Sequence, residues 1–477
     1  MAVVTAVDTQ LPAPSLFSRS LRATSTGAIA LVSLIAFEAL AVTTAMPTVA
    51  RELGGVSLYA LAFSAALATS VVGMVAAGAV SDARGPARPL LWGVALFAAG
   101  LVVCGAAPAM SVVVAGRLLQ GLGSGLASVS LYVVVARLYP PSLHPRVFAA
   151  FAGAWVVPAI VGPAIAGVIV EQLGWRWVFL GVPLLAVLAS TLLWPAMAGI
   201  GAAEADEGTA EDGDGGSATA DAGVDALSDP RTAIRWAVLA AGAAVALQAA
   251  ARIDGALVAP AVAAALAVLV VAARRLLPAG ALRAARGLPA VVLLRGLVSG
   301  AFAGTEVFLP LLLVREHGLS SSTAGLVLTV GALTWSAGSW FQGRASSAGT
   351  RVRIVRTGMA LTTAGVAAQG VLLLLDVPAA FAIGAWAVTG LGIGLAYPTF
   401  AVLALELSEP GRQGAGSAAL QLSEALLSAT VLALGGIAFG ALVAVDATAA
   451  YLAAFALAAA SAGVGLAVAG RVRALGG

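Results

Sequence analysis

FAAFAGAWVVPAIVGPAIAGVIV, residues 148–170, carries no charged side chain over 23 consecutive positions. An α-helix rises about 1.5 Å per residue, so a run of this length crosses the roughly 30 Å hydrocarbon core of a bilayer. Pro158 and Pro163 each withhold a backbone N–H and bend the helix, while Gly162 and Gly167 let a second backbone come close. The stretch therefore reads as a kinked, closely packed helix of a larger bundle.

The rest of the chain is of the same kind. It is 61% hydrophobic and 10% charged over 477 residues, with a mean hydropathy of +1.02. No water-soluble domain hides so much apolar side chain, so the protein is integral to a membrane. Its apolar runs are continuous instead of alternating every second residue, which points to an all-α polytopic protein and away from a β-barrel. Further spans are predicted near 27–49, 57–80, 89–108, 110–136, 177–199, 234–251, 255–273, 289–314, 321–342, 353–375, 378–404, 414–440 and 446–470. The resulting division is a tail (1–26), a six-helix bundle (27–199), a linker (200–233), two additional helices (234–273), a basic connection (274–288), a second six-helix bundle (289–470) and a short tail (471–477). Within the linker, residues 201–229 hold nine acidic side chains and no basic one, the composition of a solvated, self-repelling segment. Arg19 and Arg22 precede a first helix read as retained instead of cleaved.

All 25 basic residues are arginine. With both termini in the cytoplasm, 19 of them fall at cytoplasmic ends and loops, Arg51, Arg176, Arg252 and Arg315 fall outside, and Arg117 and Arg295 lie within spans. That asymmetry obeys the positive-inside rule and places the protein in the cell's inner membrane with an even number of spans, twelve or fourteen. The arginines form no single stripe, so no nucleic-acid partner is expected. Cys104 is the sole cysteine and His144 and His317 are isolated, so neither an intramolecular disulfide nor a metal site is expected. Without lysine there is no GxxxxGK[ST] loop, and ATP hydrolysis or other enzyme activity is not expected. No cofactor is implied.

Charges inside the membrane are costly and mark candidate functional sites. Glu38, Glu306 and Glu424 could bind and release protons or attract a cation, and Arg117 could tune a neighbouring carboxylate. Arg295, closer to its helix end, is expected to snorkel. Gln120, Gln369 and Gln421 offer hydrogen bonds, and Trp155, Trp335 and Trp386 offer aromatic surface to a flat or cationic compound. A faint repetition links the turn after the second span to Gly338–Arg344, and Gln120-Gly121-Leu-Gly123-Ser-Gly125 to Gly390-Leu-Gly392-Ile-Gly394. Paired six-helix halves are how secondary transporters enclose an alternating-access cavity.

These segments resemble the major facilitator superfamily, and within it the fourteen-helix drug:proton antiporters. Gly78, Asp82, Gly85 and Arg88 resemble the loop between helices two and three that controls closure of the two halves, although Ala83, Pro86 and Ala87 stand where basic residues are usual. Arg117, Gln120, Gly121, Gly123 and Gly125 resemble the helix-four motif tied to proton coupling. Pro158, Gly162, Pro163 and Gly167 resemble the helix-five motif of antiport-type exporters. Glu38 stands where that subfamily has an aspartate, followed by its Ala45 and Pro47, with Leu40 and Thr43 departing from the usual residues. The resemblance implies a proton gradient as driving force and outward transport of hydrophobic, cationic or amphipathic compounds. Expected partners are such a small substrate, protons and membrane lipid, with a monomer as the working unit. Glu38, Arg117, Glu306 and Glu424 are then the proton-coupling candidates. Glu38, Gln120, Trp155, Trp335, Gln369, Trp386 and Gln421 are the cavity candidates. A dedicated exporter of one endogenous metabolite, antibiotic or envelope lipid is the alternative, and a non-transporting membrane scaffold or sensor a third reading.

Overall fold

The structure, a computed structural model, describes residues 16–19, 21–140, 143–207, 230–250, 257–342, 348–375, 378–408 and 413–473. The described residues form α-helices and short turns and no strand. The helices are α1 (Arg22–Glu52), α2 (Tyr59–Arg84), α3 (Ala87–Gly105), α4 (Met110–Leu138), α5 (His144–Gln172), α6 (Arg176–Leu180), α7 (Val182–Glu207), α8 (Pro230–Ala250), α9 (Val258–Leu276), α10 (Leu288–Arg315), α11 (Ser321–Gln342), α12 (Ala348–Leu374), α13 (Ala379–Leu407), α14 (Gln413–Leu442) and α15 (Ala447–Val468). Backbone polar groups have no water to bond within lipid, so each span satisfies its own as a helix.

Two boundaries differ from the sequence expectation. The sixth span is broken at Gly181 into α6 and α7, and α7 continues to Glu207, into the acidic stretch. Residues 208–229 of that stretch lie outside the described residues. The turn that opens α6 is pinned: Trp175 donates its indole N–H to Glu52 at 2.8 Å, and Arg176 donates to the Ala107 carbonyl at 3.0 Å. Among the described residues thirteen helices are long and apolar enough to span. The exception is α8, whose first turns carry Arg231 and Arg235. It nevertheless packs along α2, α9 and α14, across one side of the junction between the bundles.

The faint repeat is real in three dimensions. Gly121 and Gly125 of α4 lie against the backbone of α2 at Ala66 and Ser70, and Gly123 against α3 at Phe97. Gly390 and Gly394 of α13 lie in the same way against α11 at Gly331 and Trp335, and Gly392 against α12 at Thr362. Each GxGxG run thus clamps two helices at once, because only an absent Cβ permits the approach. The halves meet where α1, α2 and α5 pack on α10, α11 and α14.

Short connections make successive helices antiparallel, and the helix ends sort into an arginine-rich and an arginine-poor face. At the arginine-poor face the halves close on each other. One continuous core there joins Tyr59 and Phe63 of α2 to Val307, Phe308, Leu311, Phe439 and Tyr451 of the second bundle.

Candidate functional site

Glu38 and Arg117 meet inside the first bundle. Each faces away from water, at 3% and 7% exposure, and Arg117 Nη1 donates to Glu38 Oε1 at 2.8 Å. The same guanidinium donates to Gln120 Oε1 and, through Nε, to the Ala62 carbonyl of α2 at 3.1 Å. Its centre stands 5.9 Å from the Phe63 ring. One arginine therefore ties α1, α2 and α4 together, its Nε and Nη1 shared among a buried carboxylate, an amide oxygen and a backbone carbonyl.

The second bundle has its own pair nearer the arginine-rich face. Arg295 of α10 donates from Nε and Nη2 to Glu424 Oε2 of α14 at 3.0 and 2.9 Å, and from Nη1 to the Tyr397 carbonyl at 3.1 Å. The Tyr397 hydroxyl donates to the Glu424 carboxylate at 3.0 Å, and Arg295 lies over the Tyr397 ring. Arg295 therefore does not snorkel. It is buried with the Glu424 carboxylate and the Tyr397 carbonyl as acceptors inside the bundle. Nothing in the sequence singled out Tyr397; its proximity to Glu424 arises only once α13 and α14 are packed.

Glu306 differs from both. It is partly exposed, and among the described residues no hydrogen bond or ion pair reaches its carboxylate. It lies four residues after Phe302, hence on the same face of α10. Phe302 packs on Trp335 at 5.0 Å between ring centroids and on Trp386 at 4.7 Å, and Trp335 on Tyr397 at 5.1 Å.

The remaining candidates separate. Gln120 belongs to the Arg117 cluster. Trp335, Gln421 and Trp155 keep part of their surface accessible. Gln369 is buried and donates to the Ala382 carbonyl at 2.9 Å, joining α12 to α13, and Trp386 is 1% exposed against Gly331. The structure thus corrects these two from cavity lining to burial within the second bundle, where Gln369 Oε1 and Trp386 Nε1 have no hydrogen-bond partner among the described residues.

At the loop after α2, Gly85 adopts φ 73°, which favours glycine, and Arg88 is exposed on the first turn of α3. Gly78 has open space about it, and the Asp82 side chain lies outside what is described. Gly167 of α5 lies against the Ser322 backbone of α11, and Gly325 of α11 against the Pro163 carbonyl. Thr329 of α11 donates to the Ile160 carbonyl at 3.1 Å, the Ser322 amide to Glu171 at 2.9 Å, and Thr48 and Ser321 share a hydrogen bond of 3.1 Å. Pro158 and Gly162 sit on the same kinked helix, Gly162 facing Phe37 of α1. The opening stretch is thus one wall of the junction between the halves.

Known proteins share this design. A "probable multidrug-efflux transporter" of Mycobacterium tuberculosis is 28% identical over 405 residues, 82% of each chain. A multidrug transporter protein of Bacillus subtilis is 31% identical over 154 residues, 32% of this chain and 28% of its own. Among solved structures, an auto-inhibited peptide transporter of the POT family superposes with a TM-score of 0.67 at 16% identity, covering 94% of this chain and 98% of its own. A D-xylose–proton symporter gives 0.61 at 15%, covering 93% and 97%. Residues 27–432, from the first span to the middle of α14, match the Major Facilitator Superfamily, and the chain belongs to that family.

Proposed function

We propose that the protein exports hydrophobic cationic or amphipathic compounds in exchange for protons, with the arginine-poor face outward. The observation that carries this reading is an asymmetry between equivalent positions of the repeat. Arg117 lies four residues before Gly121, and Trp386 four residues before Gly390. In the first bundle that position holds an arginine paired with Glu38 of α1; in the second it holds a tryptophan packed on Phe302 of α10. The first bundle thus has a titratable pair where the second has an aromatic wall.

In this mechanism the two bundles rock about the central junction. A proton entering from outside neutralises Glu38 and removes its charge from Arg117, so the tie among α1, α2 and α4 loosens. Release of the proton to the cytoplasm restores the pair. Glu306, with no partner among the described residues, supplies the counter-charge for a cationic substrate, and Trp335 supplies ring surface. Kinship with proteins named as multidrug-efflux transporters supports outward transport and a hydrophobic cargo.

The test is transport by purified protein in liposomes under an imposed pH gradient, using a lipophilic fluorescent cation. Glu38→Gln is expected to abolish the dependence of export on the gradient while inserting normally. Normal gradient-driven export by that variant would remove Glu38 from the mechanism. Glu306→Gln is expected to weaken a cationic substrate at least tenfold and to spare an uncharged one, since only the cation loses a counter-charge.

A further inference from the structure

Tyr59 opens α2 at the arginine-poor face and belongs to the first bundle, yet its side chain is enclosed by the second. It has no exposed surface, and its hydroxyl donates to the Val307 carbonyl of α10 at 2.7 Å. Its ring stands 6.2 Å from Phe308, which continues to Phe439 at 5.0 Å and Tyr451 at 5.1 Å. A backbone carbonyl oxygen has two lone pairs, so Val307 can accept from the Tyr59 hydroxyl as well as within its own helix.

The same tyrosine connects to two of the candidate carboxylates, Glu38 and Glu306. On its own helix, Ala62 and Phe63 are one turn away, and these are the groups that Arg117 holds through its hydrogen bond and its approach to the ring. Across the junction, Val307 is the residue after Glu306. From these contacts we propose that the Tyr59 hydroxyl on the Val307 carbonyl is the latch of the outer gate. Breaking it separates α2 from α10, and through Ala62 and Arg117 the latch is set by the state of Glu38. Tyr59 is a positioning residue: it need touch neither substrate nor proton. The proposal rests on the two bundles rocking as above, and its test uses neither substrate nor pH gradient, so a failure of the proton assignment is distinguishable from a failure of the latch.

The experiment measures a distance between spin labels on Leu173→Cys and Val445→Cys, placed in Cys104→Ser full-length protein reconstituted in lipid. Both sites lie at the arginine-poor face, one on each half, at 64% and 87% exposure, where labels leave packing untouched. Tyr59→Phe keeps the ring and deletes the bond. It is expected to raise the ratio of the longer-distance, outward-open component to the short one about fivefold, the shift set by one net hydrogen bond. Tyr451→Phe is the control, because that hydroxyl is buried in the same aromatic cluster without a hydrogen-bond partner among the described residues, and it is expected to leave the ratio unchanged. An unchanged distribution in Tyr59→Phe overturns the latch, as does an equal shift in Tyr451→Phe.

Discussion

Arg117 shows why a buried charge can be harder to remove than to keep. Its guanidinium fills one carboxylate, one amide oxygen and one backbone carbonyl, so Arg117→Leu leaves Glu38 buried with its countercharge gone. Breaking one side of a buried pair costs roughly 3–5 kcal/mol, whereas replacing both sides by apolar groups is often neutral. Reversible unfolding in detergent is therefore expected to show a large loss for Arg117→Leu and recovery of most of it in the Arg117→Leu, Glu38→Leu double variant. If the double variant is as unstable as the single, the pair is not the source of the cost. At this scale the sequence disclosed the charges but not all their partners. Glu38 and Arg117 stand out because ionised groups are rare in apolar helices. Tyr397 and Tyr59 did not stand out, since a tyrosine in an apolar helix or at its end is ordinary and each acceptor comes from another helix.

At the scale of elements, the glycines divide into those that a neighbouring backbone needs and those that it does not. A Cβ at Gly325 would strike the Pro163 carbonyl of α5, whereas at Gly78 it would meet nothing within 4 Å. Overpacking of a closed junction costs about 1–3 kcal/mol, and an open helical Gly→Ala gains about 0.5–1 kcal/mol from reduced chain entropy. Gly325→Ala is thus expected to lower the thermal midpoint in detergent, and Gly78→Ala to leave it unchanged or raise it. Equal effects would mean that α5 and α11 are not held together at that contact. The run at 148–170 was readable as a bent helix with an approach surface because Pro and Gly act locally. That α11 is what approaches could not be read, because helices 150 residues apart carry no mark of their adjacency. The two GxGxG runs were readable as a repeat, and the structure turns the repeat into matched three-helix clamps.

For the whole molecule, the consequence of two bundles closed at one face is that holding them closed must stop the cycle. Thr48 of α1 and Ser321 of α11 come from different halves, are buried, and share a hydrogen bond of 3.1 Å. Their oxygens are each one bond from Cβ, so the two Cβ atoms lie near the separation of about 3.5–4.5 Å that a disulfide requires. In the Cys104→Ser background, Thr48→Cys with Ser321→Cys is expected to cross-link on mild oxidation. Transport in liposomes should then stop, return on reduction, and be untouched by oxidation in either single-cysteine variant. The cross-link joins the halves beside the Ser322–Glu171 and Thr329–Ile160 contacts and substitutes none of Tyr59, Val307, Glu38 or Glu306, so it tests the rocking of the bundles separately from the latch. Full transport by completely cross-linked protein would mean that the arginine-poor face never opens, and the exit path would have to lie elsewhere.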